Sequence, residues 1–181
     1  GTVARLSPGK GYETLIDAML PLAEADRRLR FLWVGDGPLR GRFEDRLARL
    51  GLGDRVTLVG LVPSDDIPLY LSAMDALVHP SYWEGLPRTL PQALLAGLPV
   101  IAFEIDGSPE VVRHGENGFL IQPGDTDQLT WAIDTLFSTP GLREKMGSRP
   151  RDRLVDLFDA ERMGGRIEAV YRDVVRGIHR R

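Results

Sequence analysis

Six short apolar runs that alternate with amphipathic segments restrict the fold of this chain more than any other feature of its sequence. Each run is brief and nearly continuous in apolar residues, which is typical of strands buried on both faces. We expect strands at residues 3–6, 31–34, 56–58, 76–78, 100–103 and 118–121. The segments between them predict helices at about residues 12–22, 39–50, 66–73, 89–96 and 127–137, with a last helix at about 160–179.

This alternation predicts a doubly wound α/β fold, a Rossmann-like parallel sheet of about six strands with helices on both faces. Such sheets bind their ligands at the carboxyl ends of the strands, where loops and helix N-termini meet. The loops that follow the predicted strands are therefore where we expect chemistry.

Composition narrows the class of protein. A chain of 181 residues, 43% hydrophobic and 27% charged, is typical of one globular domain, and the lack of cysteine excludes a disulfide framework. The 26 acidic residues outnumber 23 basic ones, so we expect no nucleic-acid polymer as partner. No apolar run approaches the ~20 residues that span a bilayer. The chain starts inside a predicted strand without Met, which indicates a piece of a longer protein.

Two cations flank the turn after the first predicted strand. Arg5 ends the strand, and Lys10 lies between two glycines at the start of a helix. A guanidinium fork and a mobile ammonium could together hold a diphosphate beside the helix N-terminus. From spacing alone, a surface turn with two solvated cations is the favoured interpretation.

The loop after the fourth predicted strand carries the most unusual carboxylate. Glu84 follows Trp83 just before a predicted helix, and Gln92 lies in the first turns of that helix. Both side chains can face the same crevice. The alternative is that Glu84 is simply solvated, but solvation explains less readily why a carboxylate stands among Trp83, Gly85 and Leu86.

Prolines fix where the helix after this loop begins. Pro87 and Pro91 confine its start to within a few residues of Arg88, because proline fits the first turn of a helix but not its interior. The N–H groups near Arg88 and Thr89 then have no helical acceptor, which predicts an anion site if a ligand reaches them.

Three other loop positions have plainer interpretations. The turn at residues 35–38 is expected to be a tight strand-to-helix connection that a ligand could approach. His79, at an apolar strand end, is expected to be a packed histidine with one hydrogen bond rather than a general base. Glu110, in the turn at residues 106–110, is equally well explained by an interaction with a helix N-terminus.

Read in order, these segments resemble the nucleotide-sugar-binding C-terminal half of GT-B glycosyltransferases, specifically the retaining family 4. The resemblance runs from residue 3 to about residue 171, nearly the whole chain. It rests on Arg5-Leu6 with Lys10-Gly11, VGDGP at 34–38, VGLV at 59–62, PSYWEG at 80–85, AGLPV at 96–100, GSPE at 107–110 and GENG at 115–118.

The resemblance implies a role for each candidate residue. Arg5 and Lys10 would neutralise the donor diphosphate, and the N–H groups around Arg88 and Thr89 would cradle it. Glu84 would hydrogen-bond the transferred sugar. The backbone near Val62 would contact the nucleobase, and Gln92 would hold the ribose. The expected donor-binding set is Arg5, Lys10, Val62, Glu84, Gly85, Leu86, Arg88, Thr89 and Gln92, of which Arg5, Lys10 and Glu84 are expected to be catalytic.

Three positions depart from the family pattern. Gln92 stands where the family usually has a second Glu, so one contact to the ribose loses its charge, which we expect to weaken it by roughly 1 kcal/mol. Pro87 and Asp106 stand where the family often has Gly. Pro87 removes a backbone donor, and Asp106 adds negative charge near an anionic ligand.

The implied reaction is transfer of a hexose-type sugar from a nucleoside-diphosphate sugar to an acceptor hydroxyl, with retention. No metal or other cofactor is expected, because three scattered His and no Cys give no convincing metal site. We expect the protein to be cytoplasmic, because sugar nucleotides are made in the cytoplasm. Peripheral membrane association is expected only through a domain that this chain lacks. The acceptor cannot be derived from these residues.

The family's N-terminal acceptor domain is expected to be missing, so residues 1–181 are interpreted as one donor-binding domain with little or no activity alone. The last helix is expected either to pack on this domain or to present an orphaned apolar face. Alternatives stay open: a GT-B nucleotide-sugar epimerase, with Glu84 and His79 as weak acid-base candidates, or a non-catalytic nucleotide-binding module. A plain structural domain does not explain why unusual residues cluster at strand ends.

Overall fold

The computed structural model describes residues 1–148 and 152–178, and the chain divides into two compact units, Gly1–Arg149 and Pro150–Arg181. The interpretation of residues 1–181 as one domain stays a prediction. Over the described ranges, no helix is both long enough and apolar enough to cross a membrane.

The first unit contains six parallel strands in two three-stranded sheets. One sheet has the order β1-β2-β3 and the other the order β4-β5-β6. The strands are β1 (Thr2–Val3), β2 (Phe31–Val34), β3 (Val56–Gly60), β4 (Leu77–His79), β5 (Val100–Phe103) and β6 (Gly118–Ile121). The Val78 N–H donates to the Gly1 carbonyl at 2.8 Å, which places β1 beside β4 and gives the order β3-β2-β1-β4-β5-β6.

Helices connect the strands, as the sequence predicts. In the first unit they are α1 (Tyr12–Ala25), α2 (Arg40–Arg49), α3 (Ile67–Ser72), α4 (Thr89–Leu95), α5 (Ser108–Val111), α6 (Thr126–Ser138) and α7 (Leu142–Gly147), with 3-10 turns at Gly53–Arg55 and Ser64–Asp66. The second unit consists of α8 (Asp152–Phe158) and α9 (Ala160–Ile178).

The core of the first unit lies between the sheets and the helices. All residues of β4 and β5 are buried, so both faces of these strands are covered. Beside β2, Tyr12 packs its ring 4.7 Å from Trp33 and 5.3 Å from Phe43, measured between centroids. These three side chains are almost fully buried and fix α1 and α2 against the sheet. The predicted doubly wound α/β fold is confirmed.

Some predicted boundaries were wrong. β1 is Thr2–Val3 instead of residues 3–6, because the chain beyond Val3 turns to meet the neighbouring loop: the Leu6 N–H donates to the Asp36 carbonyl at 3.0 Å. α1 continues through Pro21 to Ala25, since Leu22 and Ala23 still lie on its buried face. The sequence did not predict the short helices α5, α7 and α8, which have four, six and seven residues. Residue 179, the predicted end of the last helix, is outside the described residues.

Candidate functional site

Lys10 and Glu84 form an ion pair although they are 74 positions apart in the chain. The Lys10 ammonium donates to Oε1 of Glu84, and the two side chains are 23% and 16% exposed. A half-buried ion pair of this kind is stronger than one on an open surface, because less water screens it. The carboxyl ends of β1 and β4 therefore carry a cation and a carboxylate in contact.

Two loops hold this pair together. The Gly9 carbonyl accepts hydrogen bonds from the Tyr82 N–H at 2.8 Å and from Ser81 Oγ at 3.2 Å. Gly11 has φ of +72°, and a Cβ there would lie 1.7 Å from the Pro80 carbonyl oxygen. Only glycine fits so close to a backbone in this conformation. The spacing Gly9-Lys10-Gly11 therefore brings the lysine against the loop that carries Glu84.

His79 gives Glu84 a second hydrogen bond. Its Nε2 lies 3.1 Å from Oε1 of Glu84, and the residue is 4% exposed at the end of β4. The prediction of a packed histidine with one hydrogen bond is confirmed. The sequence did not show that Glu84 is the partner, although a spacing of five residues across a strand end makes such a contact reachable.

The environment keeps Glu84 ionised. Burial alone would raise the pKa of its carboxyl group, but hydrogen bonds from His79, Lys10 and Ser81 outweigh that effect and lower the pKa to about 2. Glu84 is thus a hydrogen-bond acceptor at neutral pH and does not act there as a proton donor.

A cavity of about 710 Å³ opens at the carboxyl ends of β1, β2 and β3. Its lining includes Arg5, Asp36, Leu61, Val62 and Ile67. We call it the Arg5 cavity. Arg5 is exposed, and within the described ranges no carboxylate lies at ion-pair distance from it. Two predicted site residues, Arg5 and Val62, therefore share one cavity that offers a free cation and an apolar wall.

The start of α4 lies where the prolines predict it, with Arg88 as the residue before the helix. The first bonds here run from the Leu90 N–H to the Pro87 carbonyl at 3.2 Å and from the Gln92 N–H to the Arg88 carbonyl at 3.3 Å. Among the described backbone groups, none accepts from the N–H of Arg88 or Thr89. This arrangement suits an anion, as the sequence predicts.

The structure does not join every candidate residue to the Lys10–Glu84 pair. The side chains of Arg88 and Gln92 are exposed, and none of the described hydrogen bonds or ion pairs links them to Lys10 or Glu84. The shared crevice of Glu84 and Gln92 stays a prediction. The Thr89 hydroxyl is buried and has no hydrogen-bond partner in the described part of the chain.

Asp106 is a site residue whose structural role the sequence did not reveal. It has φ of +43°, a conformation that Asp tolerates better than most residues, and its Oδ2 accepts a hydrogen bond from the Glu84 N–H at 2.8 Å. Next to it, the Gly107 N–H donates to the Gly85 carbonyl at 3.0 Å, and Leu86 lies against Gly107. The loop before α5 thus holds the backbone of Glu84, Gly85 and Leu86.

Across residues 1–148 and 152–178, no three His, Cys, Asp or Glu side chains are grouped as metal ligands. The site consists instead of cations, a fixed carboxylate and unpaired N–H groups. The chemistry of such a set suits a ligand that carries both negative charge and hydroxyl groups.

Comparison with known proteins identifies the family. The model of the family "Glycosyl transferases group 1" matches residues 1–153. The chain belongs to this family. Among curated proteins it is similar to the 2-deoxystreptamine glucosyltransferase of Streptomyces kanamyceticus, 33% identical over 97% of this chain and 45% of the relative. It is also similar to the alpha-D-kanosaminyltransferase of the same species, 28% identical over 95% of this chain and 45% of the relative.

Solved structures agree with this membership. HepE of Anabaena in complex with UDP-glucose superposes with a TM-score of 0.86 and 31% identity, over 96% of this chain and 48% of that one. The C-terminal domain of LpcC from Francisella tularensis, a group 1 protein, shares the fold with a TM-score of 0.78, at 24% identity, over 87% of this chain and 84% of that one. The predicted resemblance to the C-terminal part of GT-B glycosyltransferases is confirmed. The chain spans about half the length of the relatives that it matches.

Proposed function

We propose that this chain is the donor-binding part of a glycosyltransferase that moves a hexose-type sugar from a nucleoside-diphosphate sugar to an acceptor hydroxyl, with retention. The observation that carries this proposal is the Lys10–Glu84 pair at the carboxyl ends of β1 and β4, in which Lys10 lies on the same loop as the free cation Arg5. The cations can neutralise the charge of a diphosphate, and the carboxylate can accept hydrogen bonds from the hydroxyl groups of a sugar.

In this proposal the cations act on the leaving group. Negative charge builds up on the nucleoside diphosphate as its bond to the sugar breaks, and cations that hold the phosphates of the bound donor stabilise that charge. Arg5 provides a planar guanidinium and Lys10 a mobile ammonium. The N–H groups of Arg88 and Thr89 add neutral donors at the start of α4.

Glu84 binds the sugar in this proposal. An ionised carboxylate accepts hydrogen bonds from sugar hydroxyls, and the low pKa of Glu84, about 2, keeps it in that form. Gly85 and Leu86 continue the same loop, which Asp106 and Gly107 hold in place. We assign Glu84 to sugar binding and not to a covalent intermediate.

The nucleoside belongs in the Arg5 cavity. Leu61, Val62 and Ile67 form an apolar wall suited to the face of a base, and the backbone near Val62 can hydrogen-bond its edge. The complexes of HepE with UDP and UDP-glucose support a nucleotide of this class. Gln92 would hold the ribose with one neutral acceptor.

The rest of the reaction belongs to parts of the protein beyond this chain. We propose that an N-terminal domain supplies the acceptor contacts, that the 181 residues alone have little or no transferase activity, and that the reaction uses no metal. We further propose a cytoplasmic location, with any contact to a membrane made through that other domain.

Calorimetric titration tests this function directly. Wild type is titrated with UDP, GDP and ADP, and with UDP-glucose, GDP-mannose and ADP-glucose. The same titrations are run on Arg5→Ala/Lys10→Ala and on the control Arg49→Ala/Lys145→Ala, which removes two exposed cations from α2 and α7.

We expect wild type and the control to bind one nucleotide pair equally well. The Arg5→Ala/Lys10→Ala variant should lose about 100-fold in affinity, because each phosphate contact of a charged group contributes about 1.5 kcal/mol. Equal affinity in all three proteins would refute the phosphate assignment. Failure of wild type to bind any of the six ligands would refute the function.

A further inference from the structure

We propose that His79 is a positioning residue: it keeps the Glu84 carboxylate in place for the sugar after Lys10 leaves Glu84 to bind the diphosphate. This inference rests on the proposed function and assigns a role to a buried residue that the donor contacts do not use.

Glu84 has one oxygen with two donors of very different mobility. Lys10 Nζ and His79 Nε2 both contact Oε1 of Glu84. Lys10 stands on a flexible four-carbon stem and is 23% exposed, whereas His79 is 4% exposed at the end of a fully buried strand. Of the two donors, only the lysine can follow an arriving ligand.

A diphosphate changes this arrangement. Phosphate oxygens compete with Oε1 for the Lys10 ammonium, and a doubly charged group attracts it more strongly than one carboxylate does. Glu84 would then lose one of its donors while still half buried. A partly buried carboxylate that loses a donor turns towards water unless another group holds it. His79, with its Nε2 3.1 Å from Oε1, is a buried donor that can hold it.

The chemistry of the imidazole ring agrees with a fixed donor. Because the carboxylate can only accept, Nε2 of His79 must carry the hydrogen of this bond. Nδ1 is buried and has no hydrogen-bond partner in the part of the chain that the structure describes. A hydrogen on Nδ1 would be a buried donor without an acceptor, so the tautomer with hydrogen on Nε2 is favoured.

The backbone of Glu84 is held separately. Its N–H donates to Asp106 at 2.8 Å, so the main chain stays in place whether or not Lys10 moves. The freedom that is left is rotation of the Glu84 side chain. His79 restricts that rotation, and its effect should therefore appear in sugar binding and not in diphosphate binding.

Two substitutions at one position separate these effects. His79→Leu removes the donor and keeps an apolar side chain in the buried site. His79→Gln keeps an amide N–H at a similar reach. His114→Leu, at an exposed histidine whose ring contacts the Leu120 backbone, is the matched control. Affinities are measured by calorimetry for whichever pair wild type binds best: UDP and UDP-glucose, GDP and GDP-mannose, or ADP and ADP-glucose. Circular dichroism checks that each variant is folded.

We expect His79→Leu to bind the sugar nucleotide about tenfold more weakly than wild type while its affinity for the free diphosphate changes less than threefold. His79→Gln should recover most of the loss, and His114→Leu should match wild type. Equal weakening of both ligands in His79→Leu, no weakening at all, or a folded His79→Gln that behaves like His79→Leu would each overturn the inference. If wild type binds neither member of any pair, the proposed function falls, and this inference with it.

Discussion

The hydroxyl of Thr14, in the first turn of α1, lies 2.7 Å from the phenol oxygen of Tyr82, two residues before Glu84. Thr14 is 7% exposed and Tyr82 is 37% exposed, so this hydrogen bond is partly shielded from water. Together with the bonds to the Gly9 carbonyl, it ties the start of α1 to the loop that follows β4. The segment that carries Lys10 and the segment that carries Glu84 are therefore hydrogen-bonded to each other.

This link should be measurable as a coupling energy. We expect Tyr82→Phe and Thr14→Val each to lower the free energy of unfolding by about 1 kcal/mol. Each substitution removes the hydrogen bond and leaves the remaining hydroxyl without this partner. The double variant should lose less than the sum of the two. Urea denaturation of the four proteins checks this in a double-mutant cycle, and strictly additive losses would show that the two hydroxyls do not interact.

Acid should weaken the fold through Glu84. The pKa of its carboxyl is about 2 in the folded chain and about 4.3 in an unfolded one. A pKa that is lower when folded gives stability above about pH 4.3, and this stability is lost as the pH falls towards 2. We therefore expect the free energy of unfolding of wild type, minus that of Glu84→Gln, to shrink between about pH 4.3 and pH 2.

Urea denaturation at a series of pH values measures that difference. Glu144→Gln, which removes an exposed carboxylate from α7, is the control for loss of one charge. A difference between wild type and Glu84→Gln that stays constant from pH 5 to pH 2 would contradict the prediction.

Gly11 should tolerate no side chain, because a Cβ there would collide with the Pro80 carbonyl. Gly51 is the control for the effect of backbone conformation alone. Gly11 and Gly51 have nearly the same φ, +72° and +70°, but a Cβ at Gly11 meets the Pro80 carbonyl oxygen at 1.7 Å while one at Gly51 has nothing within 4 Å. Gly51→Ala should therefore cost about 1 kcal/mol of stability from backbone strain alone. Gly11→Ala carries the same strain and must also push the two loops apart.

We expect Gly11→Ala to lose at least twice as much stability as Gly51→Ala, and also to lose affinity for the nucleoside diphosphate, because Lys10 moves with the loop. Thermal unfolding and calorimetry measure both effects. Identical stability and unchanged nucleotide binding in the two variants would mean that the close approach to Pro80 does not constrain the loop.

Asp106 combines a favourable bond with an unfavourable charge. Asp106→Asn keeps an acceptor for the Glu84 N–H and tolerates positive φ, but removes a negative charge near the proposed phosphate site. We expect it to bind the diphosphate a few-fold more tightly than wild type at low salt, with the gain reduced at about 1 M salt. Asp106→Ala, which loses the acceptor as well, should bind the sugar nucleotide more weakly than Asp106→Asn does. Because both variants lack the charge, equal affinity of the two would show that the charge, and not the bond to Glu84, governs this position.

The sequence was sufficient to predict the bounds of those strands and helices that a local pattern of residues determines. β2, β5 and β6 begin and end at the predicted residues, because each is a continuous apolar run with polar or turn-forming neighbours. The start of α4 followed from the position of Pro87 and Pro91. β1 was misplaced because Leu6 is apolar for another reason: it is fully buried in the core although its backbone bonds to the loop at Asp36.

Sequence was insufficient where contacts join distant segments. Lys10 and Glu84 were both chosen as candidates, but that they touch depends on β1 lying beside β4, which no local pattern encodes. The same holds for Asp106, whose carboxylate also accepts a hydrogen bond from the Glu84 N–H, 22 positions away in the chain. The candidate residues could be chosen by residue type, while their partners required the fold.

The position of β1 beside β4 has a mechanical consequence. Lys10 follows β1, an edge strand of one three-stranded sheet, and Glu84 follows β4, an edge strand of the other, so their contact spans the line where the two sheets meet. Any sliding of one sheet past the other changes the distance between cation and carboxylate directly. The geometry of the ion pair therefore depends on how the two sheets are aligned, and a ligand that binds both Lys10 and Glu84 would link the two sheets.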